Sequence, residues 1–222
     1  MSALMTLVPR VSCMSDTTPI VYVVDDDISV RESVETMVAE AGFKPEAFAS
    51  AEEFLRHTRQ SLPGCLILDV SLPDLNGLEL QRLMGTGQTA ALPIVFITGH
   101  GDIPMTVQAM KAGAIEFLTK PFSPEALLAA ICSAVERSRT FLAQQLALKT
   151  LREREKSLSR RERDVMSLVI RGQLNKQVGA TLGISEITVK AHRGQVMRKM
   201  HAKSLADLVM MATRLRQTPE ES

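Results

Sequence analysis

Charged and hydroxyl side chains stand where short apolar segments of the sequence end. They are Asp25, Asp26, Asp69, Thr98 and Lys120. Carboxylates beside an ammonium group can hold Mg²⁺ and a phosphoryl group, and one carboxylate can itself be the nucleophile that forms an aspartyl phosphate. Buried acids are also found simply paired inside a core. The residue types therefore indicate phosphoryl chemistry if the fold brings these segment ends together.

Apolar, β-branched segments that alternate with segments of helical spacing predict the elements that would position these side chains. The predicted strands are residues 20–24, 43–48, 65–70, 92–98 and 115–118. The predicted helices are residues 29–41, 51–57, 77–84 and 103–112, and residues 85–91 are predicted to be a loop. The alternation is typical of a flavodoxin-like α/β (βα)5 fold with a parallel five-stranded sheet. In such a sheet the carboxyl ends of the strands meet at one edge.

A long helix is predicted after Pro124. Residues 125–157 contain no Gly or Pro, and apolar residues recur in them at roughly heptad spacing. We expect residues 138–156 to be a helical linker to a second domain. The alternative is that the helix breaks near Ser138 and that a mobile linker follows.

The two halves of the chain have opposite charge. Residues 1–138 contain 9 Lys and Arg against 17 Asp and Glu, a net charge of −8. Residues 139–222 contain 17 against 8, a net charge of +9. This asymmetry predicts two domains, the second of which faces a polyanion. The alternative is two soluble halves that differ only in surface charge.

Composition restricts the class of protein further. No apolar segment approaches the ~18 residues of a membrane span, so we expect no membrane contact and a cytoplasmic location. Cys13, Cys65 and Cys132 show neither disulfide nor metal-site spacing, which fits a reducing compartment. Residues 1–18 lack the apolar core of a signal peptide and are predicted to be a disordered leader, or in part an over-long start before Met14.

The basic half predicts short helices, at residues 160–170, 174–182, 186–200 and 205–215. A tight turn at residues 183–185 precedes the third of them, and Ser185 is a good N-cap. The third helix carries the basic side chains Lys190, His192, Arg193, Arg198 and Lys199. Two helices joined by a short turn that contains Gly, the second of them basic, describe a helix-turn-helix.

Four segments of the acidic half have a characteristic order and spacing: Val23-Val24-Asp25-Asp26, Leu68-Asp69, Ile97-Thr98-Gly99 and Thr119-Lys120-Pro121-Phe122. In this order they resemble the receiver domain of bacterial two-component response regulators, here placed at residues 19–137. The resemblance implies that Asp69 accepts a phosphoryl group from a histidine kinase. It implies a site for Mg²⁺ or Mn²⁺ formed by Asp25, Asp26, Asp69 and the backbone carbonyl of Ser71. It also implies a set of residues that sense the phosphoryl group, Thr98, Phe117 and Lys120.

Asp27 and Phe117 each have a further interpretation. Asp27 lies one position beyond the usual acid pair and is expected to cap the first helix. Phe117 has an alternative interpretation as a plain core residue.

The basic half contains Leu158-Ser159-Arg160-Arg161-Glu162, Asn175-Lys176-Gln177, the segment 184–193 and Ser204-Leu205-Ala206-Asp207-Leu208. These segments resemble a LuxR-type helix-turn-helix domain of the FixJ-like branch, here placed at residues 157–218 with its motif at about 175–194. The resemblance implies a set of DNA-contacting residues: Lys176, Ser185, Thr188, Lys190, Arg193, Arg198 and Lys199. For the basic residues the alternative is an ordinary solvated helix face. Gly179 and Gly194 depart from the family pattern, in which Ala and a longer residue are usual.

The combined resemblance implies a phosphorylation-switched transcription regulator of a bacterial two-component system rather than an enzyme with substrate turnover. Its expected partners are a histidine kinase, a double-stranded DNA promoter, a second copy of the chain after phosphorylation, and RNA polymerase. One rival is a Mg²⁺-dependent phosphohydrolase, but such enzymes carry a second acid two residues after the nucleophile, where this chain has Ser71. The other rival is an adaptor or RNA-binding antiterminator, which the helix-turn-helix and the 4% aromatic content disfavour.

Overall fold

The computed structural model describes residues 17–73, 75–99 and 103–217, without the side chains of residues 86–90, 103–105 and 108. Most of the predicted leader, residues 1–16, lies outside the described residues. The chain divides into two compact units, residues 1–142 and 143–222. Within the described ranges, no helix is both long enough and apolar enough to cross a bilayer.

The first unit is a parallel five-stranded sheet with helices on both faces. Its strands, in the order β2-β1-β3-β4-β5 across the sheet, are β1 (Ile20–Val24), β2 (Lys44–Phe48), β3 (Gly64–Asp69), β4 (Ile94–Thr98) and β5 (Glu116–Thr119). Its helices are α1 (Ile28–Glu40), α2 (Ala51–Arg56), α3 (Gly77–Ala91), α4 (Ile103–Lys111) and α5 (Pro124–Lys156). The predicted flavodoxin-like fold with a parallel sheet is therefore confirmed.

The three central strands are buried on both faces, which explains their continuous apolar sequence. Successive side chains of a strand point to opposite faces, so β3 contributes to two separate cores. Leu66 packs in the core that contains Phe54 and Leu80, from α2 and α3. Ile67 packs in the core that contains residues of α1 and α5, among them Ile131. Burial on both sides holds the carboxyl end of β3 in a fixed position.

Two glycines allow backbone segments of this unit to approach closely. A Cβ atom at Gly64 would lie 2.2 Å from the carbonyl oxygen of Ile20, on the neighbouring strand. A Cβ atom at Gly77 would lie 2.5 Å from the carbonyl oxygen of Asp69. Both obstacles are backbone atoms, which cannot yield as the end of a flexible side chain can. The spacing of β1 and β3, and the start of α3, thus depend on the missing Cβ atoms.

The prediction of a loop at residues 85–91 is wrong. Helical structure extends to Ala91, and Gly85 interrupts it with φ 69° and ψ 166°. This left-handed φ is readily adopted only by Gly, so Gly85 makes a kink inside α3 rather than its end.

Helix α5 runs without interruption over 33 residues, so the alternative of a break near Ser138 is not realised. Ser138 is buried in the first unit, where its hydroxyl donates to the carbonyl oxygen of Ala91 at 2.6 Å. The hydroxyl oxygen of Ser138 accepts a hydrogen bond from the backbone N–H of Gly64 at 3.2 Å. A polar group inside the core is tolerated here because both of its hydrogen-bonding capacities are used.

The second unit contains the end of α5 and the helices α6 (Arg160–Val169), α7 (Asn175–Leu182), α8 (Glu186–Met200) and α9 (Leu205–Gln217). The predicted all-α second domain is confirmed. Gly183 ends α7 in the left-handed conformation, with φ 68°, and Ser185 caps α8 by accepting from the N–H of Thr188. Gly179 is explained by packing, because a Cβ atom there would lie 2.8 Å from the carbonyl oxygen of Ile184 in the turn.

A partly buried ion pair connects α6 with α8. The Glu162 carboxylate accepts from the Lys199 ammonium at 2.6 Å and from the N–H of Ser159 at 2.7 Å. Ser159 in turn accepts from the N–H of Glu162, which completes a capping box. The hydrogen bond from Lys199, followed by the one from Ser159, lowers the pKa of the Glu162 carboxyl below its ordinary value.

Replacing Glu162 by Gln is expected to destabilise the second unit at pH 7 by about 1–3 kcal/mol, since it removes charge-assisted hydrogen bonds. A carboxyl with a lowered pKa stabilises the folded state above its unfolded pKa and loses this contribution as pH falls through the folded pKa. The difference between wild type and variant should therefore shrink below about pH 4.5, the ordinary glutamate value. Hydrogen exchange of α6 and α8 peptides measures this difference in stability between wild type and variant. A difference that is unchanged at low pH would contradict the assignment.

Candidate functional site

The acids meet at the carboxyl edge of the sheet because β1 and β3 are adjacent parallel strands. Val24 is paired with Leu68, so Asp25 and Asp69, the next residues, lie side by side. Asp26 completes the group: one carboxylate oxygen from each of Asp25, Asp26 and Asp69 lies within 4.8 Å of the others. Asp25 and Asp69 are buried, whereas Asp26 is exposed. The edge thus presents a carboxylate cluster that is closed towards the core and open towards solvent.

Lys120 bridges the two buried acids. Its ammonium nitrogen lies 2.6 Å from Oδ2 of Asp25 and 2.6 Å from Oδ2 of Asp69. The backbone supports this position, because the N–H of Lys120 donates to the carbonyl oxygen of Thr98 at 2.7 Å. The peptide bond between Lys120 and Pro121 is cis. One cation therefore lies within reach of both acids and of any group attached to Asp69.

Burial and pairing act in opposite directions at this cluster. Burial raises the pKa of Asp25, and its hydrogen bond with Lys120 offsets only part of the increase. For Lys120, burial by itself favours the neutral amine, but the hydrogen bonds with Asp25 and Asp69 outweigh it, so the pKa of the ammonium is raised. Lys120 thus remains a cation, as charge stabilisation at this edge requires.

The other predicted residues of this edge have different environments. Thr98 is fully buried at the end of β4. Phe117 is half-buried, packs against the core, and has its ring centroid 6.3 Å from that of Phe96. The N–H of Ser71 donates to Oδ1 of Asp69 at 2.8 Å, which fixes the rotation of the carboxylate. Asp27 caps α1, as predicted, by accepting from the N–H of Ser29.

Arg31 belongs to this neighbourhood and escaped the sequence analysis. Its guanidinium donates to the carbonyl oxygen of Asp25 at 2.6 Å, from the first turn of α1. The signal in the sequence was weak, since a basic residue six positions after an acid has no characteristic spacing. Arg31 holds the backbone of the acidic turn in place.

The donor set of the edge fits a hard divalent cation. Mg²⁺ prefers oxygen ligands, binds through a few carboxylates and keeps water in its remaining positions. Asp25 and Asp69 contribute oxygens from the buried side, and the exposed Asp26 leaves the outer side accessible. The described residues at this edge thus provide the ligand chemistry expected of such a site.

Six of the seven predicted DNA-contacting residues lie on α8 or at its N-cap, and Lys176 lies on α7. Thr188 and Ser185 form the first turn, where their hydroxyl oxygens are 2.8 Å apart. Lys190 is exposed and lies 3.5 Å from Glu186, one turn earlier. Of the other predicted contacts, Lys176 and Arg198 are exposed and Arg193 is half-buried.

Two of the predicted contacts, Arg193 and Lys199, bond to other helices of the unit. The Arg193 guanidinium donates to the side-chain oxygen of Asn175 at 3.1 Å, which connects α8 to the start of α7. Lys199 is paired with Glu162 and also donates to the carbonyl oxygen of Ser157 at 3.2 Å. The structure therefore supplies an internal role for Lys199, whereas Lys190 and Arg198 project from the outer surface.

Family models match both halves of the chain. The response regulator receiver domain matches residues 21–132, and the model for bacterial regulatory proteins of the luxR family matches residues 156–212.

Similar proteins extend over most of the chain. Nodulation protein W of Bradyrhizobium diazoefficiens is 49% identical over 201 residues, which cover 90% of this chain and 88% of that protein. The transcriptional regulatory protein FixJ of Rhizobium meliloti is 43% identical over 192 residues, which cover 86% and 94%. Among solved structures, the response regulator StyR has 47% identity and a TM-score of 0.80, with coverage of 89% of this chain and all of that one. With its acidic edge and helix-turn-helix, the chain belongs to the response regulators that join a receiver domain to a LuxR-type DNA-binding domain.

Proposed function

We propose that Asp69 accepts a phosphoryl group from a histidine kinase and that this modification switches dimerisation and sequence-specific binding to promoter DNA. The observation that carries the proposal is the bridge of Lys120 between Asp25 and Asp69. The bridge aims a cation at the carboxylate that the family resemblance identifies as the acceptor.

The transfer needs only modest chemistry from the protein. A carboxylate oxygen of Asp69 forms a bond to phosphorus while the phosphorus–nitrogen bond of the donor phosphohistidine breaks, and the imidazole leaves. Negative charge is then concentrated on the phosphoryl oxygens. The Lys120 ammonium already lies beside Oδ2 of Asp69 and can pair with those oxygens, and the N–H of Ser71 continues to orient the side chain.

The metal site of the proposal consists of Asp25, Asp26, Asp69 and the backbone carbonyl of Ser71. Mg²⁺ or Mn²⁺ bound there would supply positive charge to the phosphoryl oxygens. Buried Asp25 and exposed Asp26 would hold the ion, and Arg31 keeps the acidic turn fixed through the carbonyl oxygen of Asp25. Self-catalysed transfer and hydrolysis are the only chemical steps, so the protein works as a switch without substrate turnover.

Thr98 and Phe117 are proposed to transmit the modification. Thr98 ends β4 and its carbonyl oxygen accepts from the N–H of Lys120, so a shift of Lys120 acts directly on this strand. Phe117 lies on β5, the neighbouring strand, is half-buried and packs against the core, and an inward rotation of its ring is the proposed response. A phosphoryl group that binds one of two conformations more tightly shifts the population towards it.

The output of the switch is a cytoplasmic transcription complex. A phosphorylated homodimer would read two half-sites separated by about 10 bp or a multiple. The proposed DNA surface consists of Lys176, Ser185, Thr188, Lys190, Arg193 and Arg198. Lys199 supports this surface through its ion pair with Glu162. RNA polymerase is the further partner through which transcription is regulated.

The proposed function predicts DNA binding that depends on activation and on Lys190. Duplexes selected from a random-sequence library by the full chain with BeF₃⁻ and Mg²⁺ serve as targets. Lys190→Ala should weaken binding about five- to tenfold and reduce the salt slope by about one unit, because one phosphate contact is lost. Fluorescence anisotropy at several salt concentrations measures both quantities.

Lys44→Ala is the matched control, since Lys44 is an exposed lysine on β2 of the first unit. Its affinity and salt slope should equal those of the wild type. If Lys190→Ala behaves like this control, Lys190 has to be removed from the DNA surface. If the wild type selects no sequence with or without BeF₃⁻, the proposed function fails.

A further inference from the structure

The outward face of α8 is apolar over its first two turns. The residues that anchor the helix in its own domain are Val189, Val196 and Met200, all of them buried. A period of 3.6 residues places another stripe on the opposite side of the helix. The members of that stripe are all exposed: Ile187, Ala191, Gly194 and Arg198. The surface that points directly away from the domain therefore has no hydrogen-bonding side chain until Arg198.

Ile187 is the most prominent member of this stripe. Its side chain is 80% exposed, the highest value for a large hydrophobic residue within the described parts of the chain. A single exposed aliphatic residue needs no explanation by itself. Ile187, however, lies in the first turn of the helix whose flanks carry the proposed DNA contacts, next to Thr188.

Gly194 supplies an independent observation. A Cβ atom at this position would meet nothing within 4 Å, and the backbone is helical. Packing inside the domain therefore gives no reason for Gly, in contrast to Gly179, where the turn leaves no space for a side chain. Gly inside a helix is destabilising relative to Ala. The outer surface of α8 is thus kept flat at a measurable cost to the fold, which indicates an object that approaches it from outside.

Basic side chains beside the stripe favour an anionic object, although Glu186 lies 3.5 Å from Lys190 on the same helix. Lys190 flanks Ile187 and Ala191 by one helical step, and Arg198 ends the stripe. The positions of Lys190 and Arg198 suit contacts with phosphate groups. The apolar centre of the stripe suits contact with a surface that makes no hydrogen bonds. Among the base edges in the major groove, only the C5-methyl group of thymine is apolar.

We propose that Ile187 and Ala191 read thymine methyl groups in the major groove, and that Gly194 lets the helix approach closely enough for this contact. The inference rests on the proposed DNA binding and specifies its sequence preference: each half-site carries thymine opposite the start of α8. The specificity arises from apolar contact, with Lys190 and Arg198 fixing the position of the helix on the backbone.

The test removes single methyl groups from the DNA. In the best duplex selected by the wild-type chain, each thymine is replaced in turn by deoxyuridine, which keeps base pairing and deletes only the methyl group. We expect a three- to tenfold loss of affinity at one or two positions in each half-site. Ile187→Ala should weaken binding to the unsubstituted duplex by a similar factor and abolish the deoxyuridine penalty at one of those positions. Its salt slope should remain that of the wild type, because no phosphate contact changes.

Leu83→Ala is the control, since Leu83 is an exposed leucine in α3 of the first unit. It should retain every deoxyuridine penalty. The inference is overturned if no thymine position is sensitive, or if Ile187→Ala retains all the penalties of the wild type. Either result leaves the proposed function standing, since the wild type has then still selected a duplex. A wild-type chain that selects none refutes the proposed function itself.

Discussion

Asp69→Asn is expected to abolish the incorporation of a phosphoryl group from acetyl phosphate in the presence of Mg²⁺, a loss of at least about a hundredfold. The amide that replaces the carboxylate has no anionic oxygen to attack phosphorus. The variant should remain folded, because Asn occupies nearly the same volume and the substitution removes one of three clustered acids. Intact mass measurement of the full chain reports the modification directly.

Asp27→Asn provides the matched control for this experiment. Asp27 lies at the same edge but is exposed and caps α1, so its loss leaves the bridge between Lys120 and Asp69 in place. It should incorporate phosphate as the wild type does. Equal incorporation by Asp69→Asn and the wild type would exclude Asp69 as the acceptor. Binding of BeF₃⁻ with Mg²⁺ gives a second readout, which should likewise be lost only in Asp69→Asn.

Gly64→Ala should have the largest effect on stability. The new methyl group would lie 2.2 Å from the carbonyl oxygen of Ile20, and this oxygen belongs to the strand paired with β3. Overpacking of a core costs about 1–3 kcal/mol, and an obstacle made of backbone places this case at the upper end. We expect a loss of about 3 kcal/mol and a decrease of about 10 °C in the Tm of the first unit.

Gly99→Ala is the appropriate comparison for Gly64→Ala. A Cβ atom at Gly99 meets nothing within 4 Å, and its φ lies outside the left-handed region. Its stability should stay within about 0.5 kcal/mol of the wild type. Calorimetry of the full chain distinguishes the two, and equal Tm values would show that the β1–β3 spacing adjusts freely.

The acidic edge was predictable because the order of the strands in a parallel sheet determines which strand ends meet. Once the alternation of strands and helices indicates a parallel sheet, the ends of β1 and β3 must meet, and Asp25 and Asp69 meet with them. Lys120 follows β5 at the same edge, but β4 separates β5 from β3, so the bridge depends on the reach of the lysine side chain. The topology does not determine which of these residues accepts a phosphoryl group, binds metal or senses the modification, so these roles are proposals.

The features that sequence reasoning missed depend on contacts between distant or weakly patterned residues. Lys199 looked like one more cation on a basic helix, but its partner Glu162 lies 37 positions earlier on another element. Gly85 looked like the end of α3, and nothing local distinguishes a terminating Gly from a kink after which the helix resumes. Arg31 acts on a backbone carbonyl, which leaves no pattern among side chains.

The hydroxyl of Ser138 has a consequence for exchanging modules between regulators of this kind. It joins α5 to the start of β3 and to the residue that ends α3, so it belongs structurally to the receiver although the predicted linker begins there. A chimera or an excised receiver that ends at residue 137 would expose the N–H of Gly64 and the carbonyl of Ala91 without a partner. Grafts that take the receiver through Leu142 keep this attachment, and a foreign output domain could then be joined beyond it.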